Sequence, residues 1–265
     1  MFRSKTGMFV ITILVGLVLV IAQAKKPNSE ILPLAQATAQ QQEEATPIQE
    51  GVMSDKQKKH SKIFKGFKEA THGKKLRDVV ADKGDVEVIV PAGDVQAPRA
   101  ANASQYLNTY LNRVSCKADA VLIGTVSSKA SQLIEEGTFT FTDYEVSMEE
   151  ILKNNYAAPI QANTNITVSR SGGAVKLNGH TIRAIDHRNE PLIVGNRYLL
   201  FLQLIPGTGA YRSLGNNLFE DSFQLSGGQI IQVSDKPLPF YSQRSSPEAP
   251  FLIELRARIN RSCDN

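Results

Sequence analysis

The chain has 265 residues, with 30 Lys and Arg against 26 Asp and Glu for a formal net charge of +4, two cysteines and no tryptophan. That length fits one domain with extensions. The first cysteine is Cys116, so an amino-terminal lipoprotein anchor has no attachment point, and the modest charge, gathered in one stretch, names no activity.

Arg3 and Lys5 precede an uncharged run from Met8 to Ala22, and Ala22-Gln23-Ala24 stands just before Lys25 and Lys26. A basic start, an apolar core and a small-x-small step predict a secretory signal peptide over residues 1–24. The apolar run is short for a membrane span, which needs about 20 residues. The alternative is an uncleaved signal anchor through residues 8–22. The expected location is exported, in the periplasm or outside; for an uncleaved anchor the flanking charges, Arg3 and Lys5 against Lys25 and Lys26, do not settle the orientation.

Residues 25–84 read as a disordered, basic spacer. The first part is rich in Gln, Ala, Glu, Lys and Pro with few large apolar side chains, too few to offset the entropy of ordering. Lys56, Lys58, Lys59, Lys62, Lys65, Lys68, Lys74, Lys75 and Arg77 crowd its end, with Ile63, Phe64 and Phe67 between them as the stripe of a short amphipathic helix. Lys58, Lys59, Lys62, Lys65 and Lys68 are the candidate contacts to an anionic membrane surface or another polyanion. A solvated linker is the plainer account.

Residues 85–265 change to short apolar runs separated by turn residues, the pattern of an antiparallel β domain. Val86, Val88 and Val90 alternate. Tyr106, Leu107, Tyr110, Leu111 and Val114 recur at helical spacing behind Asn102 and Gln105, which predicts a helix over about 103–114. In the segment from Gly137, Phe139 and Phe141 share one parity while Tyr144, Val146 and Met148 share the other. A β-bulge near Thr142 and Asp143 would turn all five toward one core. Long bent strands of this kind build small closed barrels.

The stretch VSRSGGAVKLNGHTI holds Gly172-Gly173 and Asn178-Gly179 but no phosphate-loop motif. Alternation on both sides makes it a meander, with Asn178-Gly179 as a type I′ hairpin turn. Arg197 to Ile205 is apolar on both faces and predicts a central strand. Strand-like pieces follow near 211–214, 222–225 and 230–233. A last helix after Pro250 aligns Leu252, Leu255 and Ile259.

Cys116 and Cys263 end the two helical segments, and an even cysteine count in an exported chain favours a disulfide between them. Two unpaired buried thiols are the alternative.

The stretches CKADAVLIGTV, FTFTDYEVSMEEILKNN, ITVSRSGGAVKLNG and GNRYLLFLQLIPGTGAY resemble a group of uncharacterised exported bacterial proteins over roughly residues 116–225. Their strand layout is similar to the OB-like β-barrel of netrin and tissue metalloproteinase-inhibitor domains. The resemblance implies a mainly β fold, a small OB-like antiparallel β-barrel with two flanking helices, and carries no catalytic residues. Those inhibitors offer an amino-terminal cysteine to the protease zinc, whereas Cys116 is internal.

Motifs for a nucleophile elbow, a His-Glu-x-x-His zinc site or a Cys-x-x-Cys pair are absent from the sequence. His180, Asp186 and His187, with Asp143, form the one residual constellation for a metal-dependent hydrolase, and nothing in their spacing forces convergence. Glu135-Glu136 and Glu149-Glu150 are neighbours that point to opposite faces of a strand, so neither pair is an acid/base couple. Phe139, Phe141 and Tyr144 read as core rather than as base-stacking platforms. The expectation is a non-catalytic exported module, without a cofactor, that binds an envelope or extracellular protein or polymer. The alternatives are the metal-dependent hydrolase and a membrane-anchored OB-type nucleic-acid binder; nucleic acid is the partner least expected of an exported chain.

Overall fold

The computed structural model describes residues 46–47, 53–90, 103–187, 189–214, 222–233 and 245–259. The chain divides into two units, Met1–Gln41 and Gln42–Asn265, and every element below belongs to the second. The signal segment, the first part of the spacer and Cys263 lie outside the described residues.

The described fold is mainly β, with four α-helices. Its centre is a long antiparallel hairpin of β3 (Ala120–Leu133) and β4 (Thr140–Lys153). Phe139 and Phe141 are buried in one core, whereas Tyr144, Val146 and Met148 are buried in another. The expected bulge at Thr142 and Asp143 is therefore absent: both residues stand in regular pairs with β3 and with β5 (Asn165–Ser171). Alternation needs no correction when each face of the strand has its own core. The register shifts lie elsewhere along the hairpin, between Val121 and Leu122, Ile123 and Gly124, and Val126 and Ser128.

Beside β3 runs β8 (Arg197–Leu204), buried on both faces as its unbroken apolar run predicts. Leu199 and Phe201 enter one core, and Tyr198, Leu200 and Leu202 the other. The short β9 (Tyr211–Ser213) pairs with β8 antiparallel and with β5 parallel, so the hydrogen-bonded path β8–β3–β4–β5–β9 returns to β8. Three more strands, β10 (Ser222–Ser226), β11 (Gln229–Gln232) and β12 (Ser245–Pro247), extend outward from β8.

A second sheet has the order β1-β6-β7-β2, from β1 (Thr46–Pro47), β6 (Gly173–Leu177), β7 (His180–Asp186) and β2 (Val86–Val90). Both sheets are mixed: β1–β6, β2–β7 and β5–β9 are parallel, which corrects the all-antiparallel expectation. Parallel partners are far apart in sequence, and alternation alone does not carry strand direction. The β6–β7 hairpin turns at Asn178 and Gly179, both with positive φ (50° and 84°), as a type I′ turn requires. Gly172 (φ 90°) is the corner where the chain leaves the sheet of β5 and enters that of β6, and its Cα hydrogens sit where a Cβ would stand 2.9 Å from the Ala184 carbonyl oxygen.

Helices α3 (Ala103–Lys117) and α4 (Glu248–Ile259) cover the face formed by β3, β8, β10 and β11. Tyr110, Leu111 and Val114 of α3 pack there with Phe251, Leu252 and Leu255 of α4. Lys153 Nζ donates to the Ser115 and Ala118 carbonyls at 2.7 and 2.6 Å, satisfying the end of α3, and burial lowers its pKa below the usual lysine value.

The basic stretch before residue 85 is the largest departure from expectation. Its described part is folded, as α1 (Asp55–Ile63), a 3-10 turn (Lys65–Thr71) and α2 (Leu76–Lys83). Ser54 and Gln57 close a capping box at the start of α1. Phe64 stacks on Phe141 at 5.4 Å and Phe67 on Phe139 at 4.5 Å, while Leu76 and Val80 are buried with Val175, Leu177 and Ile182 of the second sheet. The few apolar residues of this segment suffice because they land on an apolar surface that the strands supply. The spacer thus does not reach residue 84, and the folded region does not begin at residue 85.

At Gly124 on β3, an added Cβ would lie 2.6 Å from the Ser147 carbonyl oxygen and 2.7 Å from Val146 Cγ1. Gly124→Ala should lower stability by about 1–3 kcal/mol through overpacking. Urea unfolding measures it; an unchanged midpoint would mean that the hairpin strands are not held this close.

Candidate functional site

Strand β5 carries Thr167, Ser169 and Ser171 on alternate positions, and β4 sets Glu145 opposite Thr167 and Asp143 opposite Ser169. This polar face is not left to solvent. Helix α1 and the turn after it lie over it, presenting Lys56, His60, Phe64 and Phe67 at spacings of one helical turn.

Contacts follow that order. Lys56 Nζ reaches Thr167 Oγ1 at 3.2 Å, and Thr167 Oγ1 donates to Glu145 Oε1 at 2.8 Å. One turn on, the fully buried His60 places Nδ1 3.0 Å from Asp143 Oδ2 and 3.2 Å from Ser169 Oγ, while Ser169 Oγ donates to Asp143 Oδ1. Lys59 Nζ donates to the Gly207 carbonyl at 2.9 Å, and the buried Ser61 Oγ accepts from the Glu135 backbone N–H at 2.7 Å. The helix is fastened by hydrogen bonds where the sheet face is polar and by stacked rings where it turns apolar.

A serine, a histidine and an aspartate in contact invite comparison with a nucleophilic triad, and the geometry answers it. A triad needs the aspartate on one ring nitrogen and the serine on the other, so that the free nitrogen takes the hydroxyl proton. Here both approach Nδ1, and Nε2 is buried without a hydrogen-bond partner. Ser169 is 1 % exposed and its hydroxyl proton is committed to Asp143. The trio joins helix to sheet.

Next to it lies a pocket of about 30 Å³ lined by Ile63, Phe64, Phe67, Ser169, Arg170, Ser171, Asn189, Arg212 and Ser213. Arg170 is buried, with Nη1 2.5 Å from Ser222 Oγ. Asp186 accepts from Ser171 Oγ at 2.5 Å and from Asn189 Nδ2 at 3.2 Å.

Of the residues singled out in the sequence, His180, Asp186 and His187 do not converge. His180 and Asp186 occupy opposite ends of β7, a separation of about 20 Å at the rise of a strand. His180 Nδ1 faces Asp85 at 3.4 Å, and His187 Nδ1 faces Glu190 at 3.9 Å. Asp143 belongs to His60 instead. No group of three or more His, Cys, Asp or Glu side chains suited to a metal occurs among the described residues.

Glu136 pairs with Lys65 at 2.7 Å; Glu149 accepts from Thr125 and Arg197; Glu150 accepts from Arg256. Of the lysines set aside for an anionic surface, Lys59 and Lys65 are engaged within the chain, Lys58 stands 3.7 Å from Asp55, Lys62 is exposed, and the Lys68 side chain lies outside the described residues. Cys116 lies at the end of α3, and Cys263 lies outside the described residues.

His60, Ser169, Arg170 and Arg212 were not among the candidates. The alternation of Thr167, Ser169 and Ser171 was the available signal, since a strand with hydroxyls on one parity needs a polar covering. No protein-family model matches the chain, and no curated protein matches it either.

Asp143→Asn keeps the shape but removes the charge that two donors share. It should cost about 1–3 kcal/mol, as for a disrupted buried polar group. In a double-mutant cycle, His60→Ala and Asp143→Ala should couple by about 0.5–3 kcal/mol. Additive denaturation energies would dissolve the link between α1 and β4.

Proposed function

We propose that the chain is a non-catalytic, exported binding module built on an OB-like barrel. The observation that carries this reading is the strand path β8–β3–β4–β5–β9–β8, with β5 and β9 parallel and the other pairs antiparallel. That connectivity supports an OB barrel, whose five-stranded Greek-key order it matches when β4 and β5 are taken as the second and third strands. OB modules bind their ligands over that face and the neighbouring loops; with α1 lying over the face, the loops are the binding surface in this reading. The similarity to netrin and tissue metalloproteinase-inhibitor barrels draws support from the same path.

The partner in this reading is an envelope or extracellular protein or polymer. Lys58, Lys62, Lys74, Lys75 and Arg77 are not engaged in the sheet seam and supply attraction to an anionic envelope surface. A Cys116–Cys263 bridge belongs to the same reading. It is supported by the packing of α3 on α4, which brings Ile259, a few residues before Cys263 in sequence, alongside the helix that carries Cys116.

Intact mass of the protein purified from its own cells, with and without reductant, tests export and bridge together. The expected mass begins at Lys25 and is about 2 Da lighter before reduction, the two hydrogens lost on forming a disulfide. A full-length chain of unchanged mass on reduction would refute the exported reading.

A further inference from the structure

We infer that the groove over β4 and β5 is a docking site for a basic amphipathic helix of another protein, and that α1 is its resident occupant when no partner is bound. The choice of cleft rests on the OB reading; what fills the cleft is read from the contacts.

An OB barrel takes ligands over its second and third strands, between the loop joining the first two strands and the loop joining the last two. Here those loops are the β3–β4 turn and the β8–β9 turn. Helix α1 touches all four elements. Lys56 meets Thr167 of β5, and His60 meets Asp143 of β4 and Ser169 of β5. Ser61 Oγ accepts from the Glu135 N–H in the β3–β4 turn, and Lys59 donates to the Gly207 carbonyl in the β8–β9 turn. One helix of 9 residues thus lies where a ligand would.

Charge selects the class of ligand. Along the track of α1 and the turn after it, Asp143 stands against His60 and Glu136 against Lys65, while Glu145 and Lys56 share the Thr167 hydroxyl. Carboxylates repel the phosphates of nucleic acid and favour a cationic segment. Where the track turns apolar, Phe141 and Phe139 stack with Phe64 and Phe67. Positions 56, 60, 64 and 67 have the spacing of the anchors that a helix presents to a groove.

As an occupant, α1 is held loosely. Only His60 and Ser61 among its residues are buried. Helices this short are marginal by themselves, and polar contacts add little net stability. His60 adds a defect, because its Nε2 is buried with no hydrogen-bond partner, so docking removes water from that atom without replacing it. A partner helix with lysine at this place would meet Asp143 without the orphaned nitrogen, and its own aromatic residues would replace Phe64 and Phe67. The exposed link from His72 to Lys75 separates α1 from the buried Leu76 and Val80 of α2, which can stay in place when α1 leaves.

The test uses a fluorescent synthetic peptide of residues 53–68, titrated against the full chain and its variants. Proline at the exposed Lys62 breaks α1 without altering a groove residue. Fluorescence anisotropy should show the peptide binding Lys62→Pro roughly tenfold or more tightly than the parent, because the tethered competitor is gone. A scrambled peptide of the same composition should not bind, and adding Asp143→Asn with Glu145→Gln to Lys62→Pro should abolish binding of the native one. Hydrogen exchange on the parent keeps the test decisive should Lys62→Pro fail to fold: α1 amides should exchange roughly a hundredfold faster than those of β3 and β4, through local opening. Excess peptide should speed exchange in α1 and not in the strands. Exchange of α1 at the rate of β3 and β4, equal affinity of a folded Lys62→Pro and the parent, or equal binding of the scrambled peptide would overturn the docking site. None of these results touches the exported-module reading, whose failure is seen separately as a full-length mass unchanged by reductant. A dimer of the parent that the peptide dissociates would overturn the separate partner and assign the groove to a second copy of this chain.

Discussion

Burial of both faces of the β3–β4 hairpin is the constraint on which the remaining architecture hangs. Even-numbered Tyr144, Val146 and Met148 look into the core shared with β5, β8 and β9, whereas Phe139 and Phe141 look into the core shared with the second sheet and the amino-terminal helices. A strand with two hydrophobic faces cannot stand at a surface. It obliges the protein to build a layer on either side, and the segment before residue 85 is recruited to complete one of them.

That recruitment explains the unequal chemistry of the α1 contact. Near the hairpin tip the covering is aromatic, Phe64 on Phe141 and Phe67 on Phe139, and burial of these rings is favourable in itself. Farther along, β4 and β5 offer Asp143, Glu145, Thr167 and Ser169, groups that lose water when a helix arrives. Lys56 and His60 replace part of that water. Polar contacts of this kind contribute little net stability but penalise any misplacement of the helix, because a shift of one turn would leave a partly buried carboxylate without its partner. Register is what they supply.

The pocket lies where these two regimes meet. Gly172 carries the chain out of one sheet and into the other, and Thr140 and Thr142 tie the carbonyls of Gly173 and Gly172 to β4. Ser171, Asn189 and Asp186 gather at this corner, with Arg170, Arg212 and Ser213 on the adjoining strand ends. Strand ends beside a corner have incompletely paired backbone and irregular packing, so small polar cavities form there more readily than in the middle of a sheet.

Much of the local structure was readable in the residues. Unbroken apolar Arg197–Leu204 became a doubly buried strand, Asn178-Gly179 became a tight hairpin, and the spacing of Tyr110, Leu111 and Val114 became a helix against Leu252 and Leu255. Such features depend on neighbours within a few positions, and side-chain period reports them directly. What only the tertiary structure decided lies between distant positions. His60 meets Asp143 across 83 residues and Ser169 across 109. Strand direction in β5–β9 and β2–β7 is likewise absent from alternation. The folding of the basic segment was hidden because its composition is that of a chain unable to bury itself; the surface it buries against belongs to β4 and the second sheet. Periodicity determines which face of an element is apolar, and only the assembled fold determines what that face meets.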